Sequence, residues 1–71
     1  MPFIHVKLIE EVFSAEEKKK MITKLTDAMV SIEGEHLRPV TWVVIEEVKA
    51  GQWAIGGQPL SADDVRAMAT K

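Results

Sequence analysis

The sequence contains no cysteine and only two histidines. Without a thiol there is no thiolate nucleophile, no disulfide and no cysteine metal site, and the composition favours neither an oxidising nor a reducing compartment. His5 and His36 lie far apart, and neither has other ligand-type residues at the spacing of a metal site. We therefore expect no metal.

The chain also lacks a strong net charge and any long apolar run. Its formal charge is −2 and its isoelectric point is about 5.6, which gives no reason to expect nucleic acid or an anionic membrane as a partner. We expect no transmembrane helix, and the first residues lack the apolar core of a signal peptide. The cytoplasm is the default expectation.

Length sets a further limit, because 71 residues make one small domain. A chain of this size buries only about 60% of the surface that its unfolded form exposes. It nevertheless carries 46% hydrophobic residues, more than a lone domain of this size hides easily, and it has no disulfide or metal to compensate. We expect residues 1–71 to form a single domain that assembles as a homo-oligomer.

The chain opens with an alternating segment that predicts a β-strand. One side of this strand would carry Ile4, Val6 and Leu8, and the other would carry Phe3, His5 and Lys7. Pro2 is tolerated at the start of such a strand, because its missing N–H needs no partner there.

A helix is predicted to begin at Ser14. Glu17 follows this serine three residues later, which is the spacing of a capping box, and Gly34 is a natural residue to end the helix. Apolar residues between them recur at spacings of three and four, as in the buried stripe of an amphipathic helix. The predicted stripe consists of Met21, Ile22, Leu25, Ala28, Met29 and Ile32.

A second strand is predicted at Thr41–Glu46, where apolar and β-branched residues follow Arg38 and Pro39. Two strands joined by a helix make a βαβ unit with two parallel strands. The fold class is therefore α/β (α+β), built on a single βαβ unit. Parallel sheets need cover on both faces, so the helix would cover one face and another subunit the other.

The tail of the chain contains two further signals. Gly51–Gln58 is a glycine-bracketed segment suited to a tight hairpin or an ordered loop, and it lacks the spacing of a phosphate-binding loop. Ser61 is placed to cap a short C-terminal helix, with Leu60 and Val65 in position for a hydrophobic staple.

Pro2 is the residue with the clearest case for catalysis. If Met1 is removed after synthesis, Pro2 becomes a secondary amine, and an amino-terminal amine can be a neutral base near pH 7 when apolar surroundings or a nearby cation lower its pKa. The ring also fixes the direction of the nitrogen lone pair relative to the strand, which suits proton transfer within one bound substrate.

The chain resembles the 4-oxalocrotonate tautomerase family over essentially all its residues. The resemblance rests on Pro2 at the start of a strand, the helix start at Ser14–Lys18, the strand ending Ile45-Glu46-Glu47 and, most specifically, Gly51–Gly57, which reads Gly-Gln-Trp-Ala-Ile-Gly-Gly. It implies the tautomerase (MIF-like) fold, paired into dimers and commonly assembled as a trimer of dimers, that is, a homohexamer.

The same resemblance implies a cofactor-independent tautomerase. Pro2 would be the general base that moves a proton in keto–enol or dienol–enone isomerisation of a small 2-oxo acid or enol. Trp53 would stand where the family places an aromatic residue that lines the substrate pocket and keeps it apolar.

Two arginines typical of the family have no counterpart here. The first normally follows strand one, where this chain reads Glu10–Phe13, and the second normally lies on strand two, where this chain has Trp42. Arg38 is the best substitute as a substrate ligand, although it is equally well explained as a surface residue. Trp42 suggests a more apolar pocket or an interface plug. Without paired arginines, a dicarboxylate substrate has lost its best ligands.

Two alternatives to a tautomerase stay open at this point. Related activities of the superfamily, such as hydration, dehalogenation or decarboxylation of small acrylates, use the same proline in its protonated form. A non-catalytic oligomeric scaffold that kept the fold and lost the arginines is the alternative outside enzymes.

Overall fold

A computed structural model describes residues 1–69 of the chain. Its elements in chain order are strand β1 (Phe3–Ile9), helix α1 (Ala15–Glu33), a 3₁₀ helix (Glu35–Val40), strand β2 (Trp42–Val48), strands β3 (Ala54–Ile55) and β4 (Gln58–Pro59), and helix α2 (Ala62–Ala69). No helix within residues 1–69 is both long and apolar enough to cross a membrane.

Strands β1 and β2 form the predicted parallel pair, in a register that places Phe3 opposite Trp42 and Ile9 opposite Val48. Along β1 exposed and partly buried residues alternate, so Ile4, Val6 and Leu8 are sheltered while Phe3, His5 and Lys7 are exposed, and Ile9 at the end of the strand is buried. An ion pair of 2.9 Å between Lys18 of α1 and Glu47 of β2 links the helix to the sheet. The βαβ prediction is confirmed.

Both ends of α1 lie where the sequence predicts them. The Ser14 hydroxyl accepts a hydrogen bond from the Glu17 N–H at 3.1 Å, and the Glu17 carboxylate accepts one from the Ser14 N–H at 2.9 Å. These bonds to Ser14, with a smaller contribution from Lys20, lower the pKa of Glu17. At the other end Gly34 has φ of 104°, and its N–H donates to the Val30 carbonyl at 2.8 Å.

The predicted apolar stripe of α1 is only partly correct. Val30 is buried with 5% exposure, whereas Ile32 is 86% exposed and Ile22 is 41% exposed. With 3.6 residues per turn, a step of four residues advances about 40° around the helix and a step of three falls about 60° short. The sheltered face proceeds in steps of four from Met29 to Glu33, which leaves Ile32 turned towards solvent.

The 3₁₀ helix has no counterpart among the predicted elements. Short helices of this type carry little sequence signal, and here the segment lies between Gly34 and the start of β2, with Pro39 inside it. It shifts the start of β2 to Trp42, one residue later than predicted, and the strand continues to Val48.

The tail forms the predicted hairpin and helix. Strands β3 and β4 pair antiparallel around Gly56 and Gly57, whose φ angles of 57° and 82° fit the tight turn that two positive-φ residues allow. Ser61 caps α2: its hydroxyl accepts from the Asp64 N–H at 3.2 Å, and the Asp64 carboxylate accepts from the Ser61 N–H at 2.9 Å.

The chain exposes more surface than a self-sufficient domain of its size. Its accessible area is 5393 Å², against about 4,400 Å² expected for a folded monomer of this mass. The radius of gyration is 14.7 Å, against about 11 Å for a compact domain of this length. Within residues 1–69 only Ile9, Val30 and Ala62 are buried apolar residues. These dimensions indicate a subunit that requires partners.

We expect Ser14→Ala to lower the free energy of unfolding by about 1 kcal/mol, because the first turn of α1 loses its capping bond. Ser31→Ala, which removes an exposed hydroxyl bonded to the Ala28 carbonyl, is the control and should change stability by less than about 0.5 kcal/mol. Urea denaturation at one fixed protein concentration measures both. Equal effects of the two substitutions would contradict the capping role.

We expect the chain to sediment as a multimer and Val44→Lys to reduce its mass towards that of one chain. Val44 lies on the exposed face of β2, opposite His5, and a buried unpaired ammonium there would be costly. Analytical ultracentrifugation checks this, with Thr23→Lys on the exposed side of α1 as the charge-matched control. A monomeric native chain would refute the expectation.

Candidate active site

Pro2 lies at the amino end of the sheet, directly before β1. Its carbonyl accepts a hydrogen bond of 3.0 Å from the Trp42 N–H, which fixes Pro2 against the first residue of β2. Met1, Pro2, Phe3 and Trp42 line a shallow cavity here. The structure therefore brings together two of the predicted site residues, Pro2 and Trp42.

Aromatic side chains surround this corner on the face of the sheet that α1 does not cover, which we term the outer face. The Phe3 and Trp42 ring centroids are 6.4 Å apart with planes inclined by 31°. Phe3 also meets the edge of His5 at 6.3 Å. Phe3 and Trp42 are 61% and 54% exposed, so a large apolar surface lies beside Pro2.

A second cavity, of about 250 Å³, lies at the carboxyl end of β1, and we term it the Trp53 cavity. It is formed by the end of β1, the loop that follows it, the hairpin segment and the start of α2. Its lining consists of Lys7, Leu8, Ile9, Phe13, Trp53, Ile55, Leu60 and Val65. Trp53 itself is partly buried.

Within one chain the two cavities are far apart. Lys7, the first residue of β1 that lines the Trp53 cavity, is five residues from Pro2, about 17 Å along the strand at the usual rise of about 3.3 Å per residue. A single chain therefore does not bring Pro2 and Trp53 to one substrate. Any site that uses both needs Pro2 from one copy and the Trp53 cavity from another.

Arg38 lies in the 3₁₀ helix just before β2, at the same end of the sheet as Pro2. Its guanidinium pairs with Glu35 at 2.9 Å and with Asp27 of α1 at 2.8 Å. Both carboxylates, Glu35 first, raise the pKa of Arg38. These contacts favour the interpretation of Arg38 as a surface residue that holds the 3₁₀ helix to α1, and its role as a substrate ligand stays a prediction.

The two acids at the end of β2 lie on opposite faces of the sheet, as an extended chain requires. On the outer face Glu46 accepts a hydrogen bond from His5 Nε2 at 2.8 Å and lies 3.9 Å from the Lys7 ammonium. On the helix side Glu47 pairs with Lys18. They cannot act as one acid–base dyad.

Lys7 and Phe13 are cavity residues that sequence reasoning missed. The alternation of β1 places Lys7 on the exposed side of the strand, and no motif gives Phe13 a role. The alternation of β1 shows on which side of the strand Lys7 lies. It does not show that the tail folds there and closes a cavity. Within residues 1–69 no group of three or more histidine, aspartate or glutamate side chains is placed to hold a metal ion.

Comparison with known proteins gives a consistent result. The protein family described as tautomerase enzyme matches residues 2–63. A protein of Dickeya dadantii named probable tautomerase K2 is 33% identical over 61 residues, which cover 86% of this chain and 90% of that protein. A probable tautomerase of Ralstonia nicotianae is 42% identical over 62 residues, covering 87% of this chain and 86% of the relative.

A solved structure agrees with these relatives. It is the crystal structure of a candidate 4-oxalocrotonate tautomerase of methicillin-resistant Staphylococcus aureus. It superposes with a TM-score of 0.70 at 32% identity, covering 82% of this chain and 90% of that chain.

We expect Arg38→Gln to leave the KM for an enol substrate within about twofold of the native value, because the guanidinium is already bonded to two carboxylates. Only a small loss of stability should accompany it, since both ion pairs are exposed. Steady-state kinetics and urea denaturation measure the two effects. A tenfold rise in KM that Arg38→Lys partly reverses would instead establish Arg38 as a substrate ligand.

Proposed function

Since this chain belongs to the tautomerase family and is an isomerase, we propose that Pro2 is its general base. In the proposed reaction Pro2, freed of Met1, moves a proton between oxygen and carbon, or between two carbons, of a small 2-oxo acid or enol. The reaction needs no cofactor, because the enzyme only relocates one proton and the electron pair of one double bond.

The observation that carries this proposal is the anchoring of Pro2. Its carbonyl is bound to the Trp42 N–H at 3.0 Å, so the ring is fixed at the end of the sheet, while Phe3 and Trp42 give its surroundings an apolar character. Apolar surroundings lower the pKa of an amine because they desolvate its charged form. A neutral secondary amine at neutral pH is the species that a general base requires.

Proton transfer then takes two steps at one nitrogen. The neutral amine of Pro2 accepts the proton of the enol hydroxyl as the carbonyl forms, and the resulting ammonium delivers that proton to the adjacent carbon. The base is neutral again at the end. Because both steps use the same atom, the substrate needs to be held with its oxygen and its carbon in reach of Pro2, and this holding is the task of the pocket walls.

We propose that those walls come from two copies of the chain. Trp42 stands beside Pro2, and the Trp53 cavity of a neighbouring subunit closes over the substrate. The separation of about 17 Å along β1 between Pro2 and Lys7, the exposed aromatic corner and the excess surface of the single chain support this composite site. A homohexamer of three dimers is the assembly we propose for it.

We expect Pro2→Ala to lower kcat/KM on the order of 100-fold or more, as loss of a positioned base does. The assay is the ketonisation of phenylenolpyruvate and of 2-hydroxymuconate followed by absorbance, with intact mass spectrometry to establish that Met1 is absent from both proteins. With Pro2 as base, kcat/KM of the native enzyme should rise with pH through the pKa of the amine. Protonated-proline chemistry would show the opposite slope.

The control for this experiment is Thr23→Ala, a neutral substitution on the exposed side of α1. It should retain native rates on both enols, because the side chain lies outside both cavities. Native protein and Pro2→Ala that are equally slow on both enols would refute catalysis by Pro2.

A further inference from the structure

We propose that the Trp53 cavity selects an aromatic enol acid with one carboxylate, and that Lys7 at the cavity binds that carboxylate. This inference rests on the proposed function, because it assumes that the cavity holds the substrate of the isomerase.

The lining of the Trp53 cavity is almost entirely apolar. Seven of the eight lining residues are apolar, and Lys7 is the single charged one. Phe13 and Trp53 contribute aromatic surface from the loop after β1 and from the hairpin segment. Such a lining favours an apolar ring and offers one place for a negative charge.

Size supports a ring as the occupant. An apolar cavity of about 150 Å³ is sufficient to bind benzene, and the Trp53 cavity has about 250 Å³. The difference leaves room for a short acid chain that extends from the ring towards Lys7. A substrate without an apolar group would leave most of the wall without contacts.

The distribution of cations around the Trp53 cavity disfavours a substrate with a second carboxylate. The Lys7 ammonium lies 3.9 Å from Glu46, which is longer than a hydrogen bond, so a substrate carboxylate can compete with Glu46 for this ammonium. Both arginines already have acceptors: Arg38 is bonded to Glu35 and Asp27, and Arg66 to Asp63 and the Glu11 carbonyl. Within the Trp53 cavity a second carboxylate would therefore lie against apolar side chains, where an unpaired charge is costly.

The kinetic test compares phenylenolpyruvate with 2-hydroxymuconate, which carries two carboxylates. We expect the native enzyme to have the higher kcat/KM on phenylenolpyruvate. Lys7→Gln should raise the KM for it about tenfold, as loss of a charge-assisted hydrogen bond does, while Lys7→Arg retains most of the affinity. Lys19→Gln, an exposed charge of α1, is the matched control and should have no effect.

A binding test keeps this inference separate from catalysis by Pro2. In a Trp42→Phe background Trp53 is the sole tryptophan, and its fluorescence reports titration with 3-phenylpropanoate or with adipate. We expect tighter binding of 3-phenylpropanoate and at least a fivefold loss in Lys7→Gln, on the order of the loss of one charge-assisted hydrogen bond. Equal binding of both acids, or no effect of Lys7→Gln, overturns the inference even if Pro2 proves catalytic. If 3-phenylpropanoate binds more tightly than adipate but Pro2→Ala does not lower the catalytic rate, the cavity assignment is supported and only the proposed reaction is refuted.

Discussion

The parallel pairing of β1 with β2 is the constraint on which the rest of the structure depends. Its ladder begins with the Trp42 N–H bound to the Pro2 carbonyl and ends with the Glu10 N–H bound to the Val48 carbonyl at 2.9 Å. This pairing sets which end of the sheet carries Pro2. It also fixes the two faces: one is covered by α1, and the other presents aromatic residues to whatever covers it.

Local signals made most of the fold predictable. The cap at Ser14, the end of α1 at Gly34 and the glycine turn of the hairpin each depend on a few neighbouring residues, and all three lie where the sequence indicated. The buried position of Val30 and the exposed position of Ile32 were not predictable in this way. They follow from how far the sheltered face turns along the helix, which is set by packing against the sheet.

The residues of the candidate site also fall into two groups: those that the sequence indicates and those that only the folded chain brings together. Pro2 and Trp53 could be singled out from the sequence because motifs of the family contain them. The cavity role of Phe13 and Lys7 could not, because the cavity forms only when the tail folds back towards β1. Its lining then combines residues as distant in sequence as Lys7 and Trp53. Arg38 was a candidate by residue type alone, and its bonds to Glu35 and Asp27 are a property of the folded chain.

The distance between Pro2 and the Trp53 cavity has a genetic consequence under the proposed assembly. Each catalytic unit draws its base and its binding wall from different copies, so a lesion in either half damages a site shared with a neighbour. Two chains that are inactive for different reasons, one at Pro2 and one at Trp53, would together contain some intact units when mixed in one oligomer. Complementation between alleles, ordinarily expected of separate genes, would then occur within a single one.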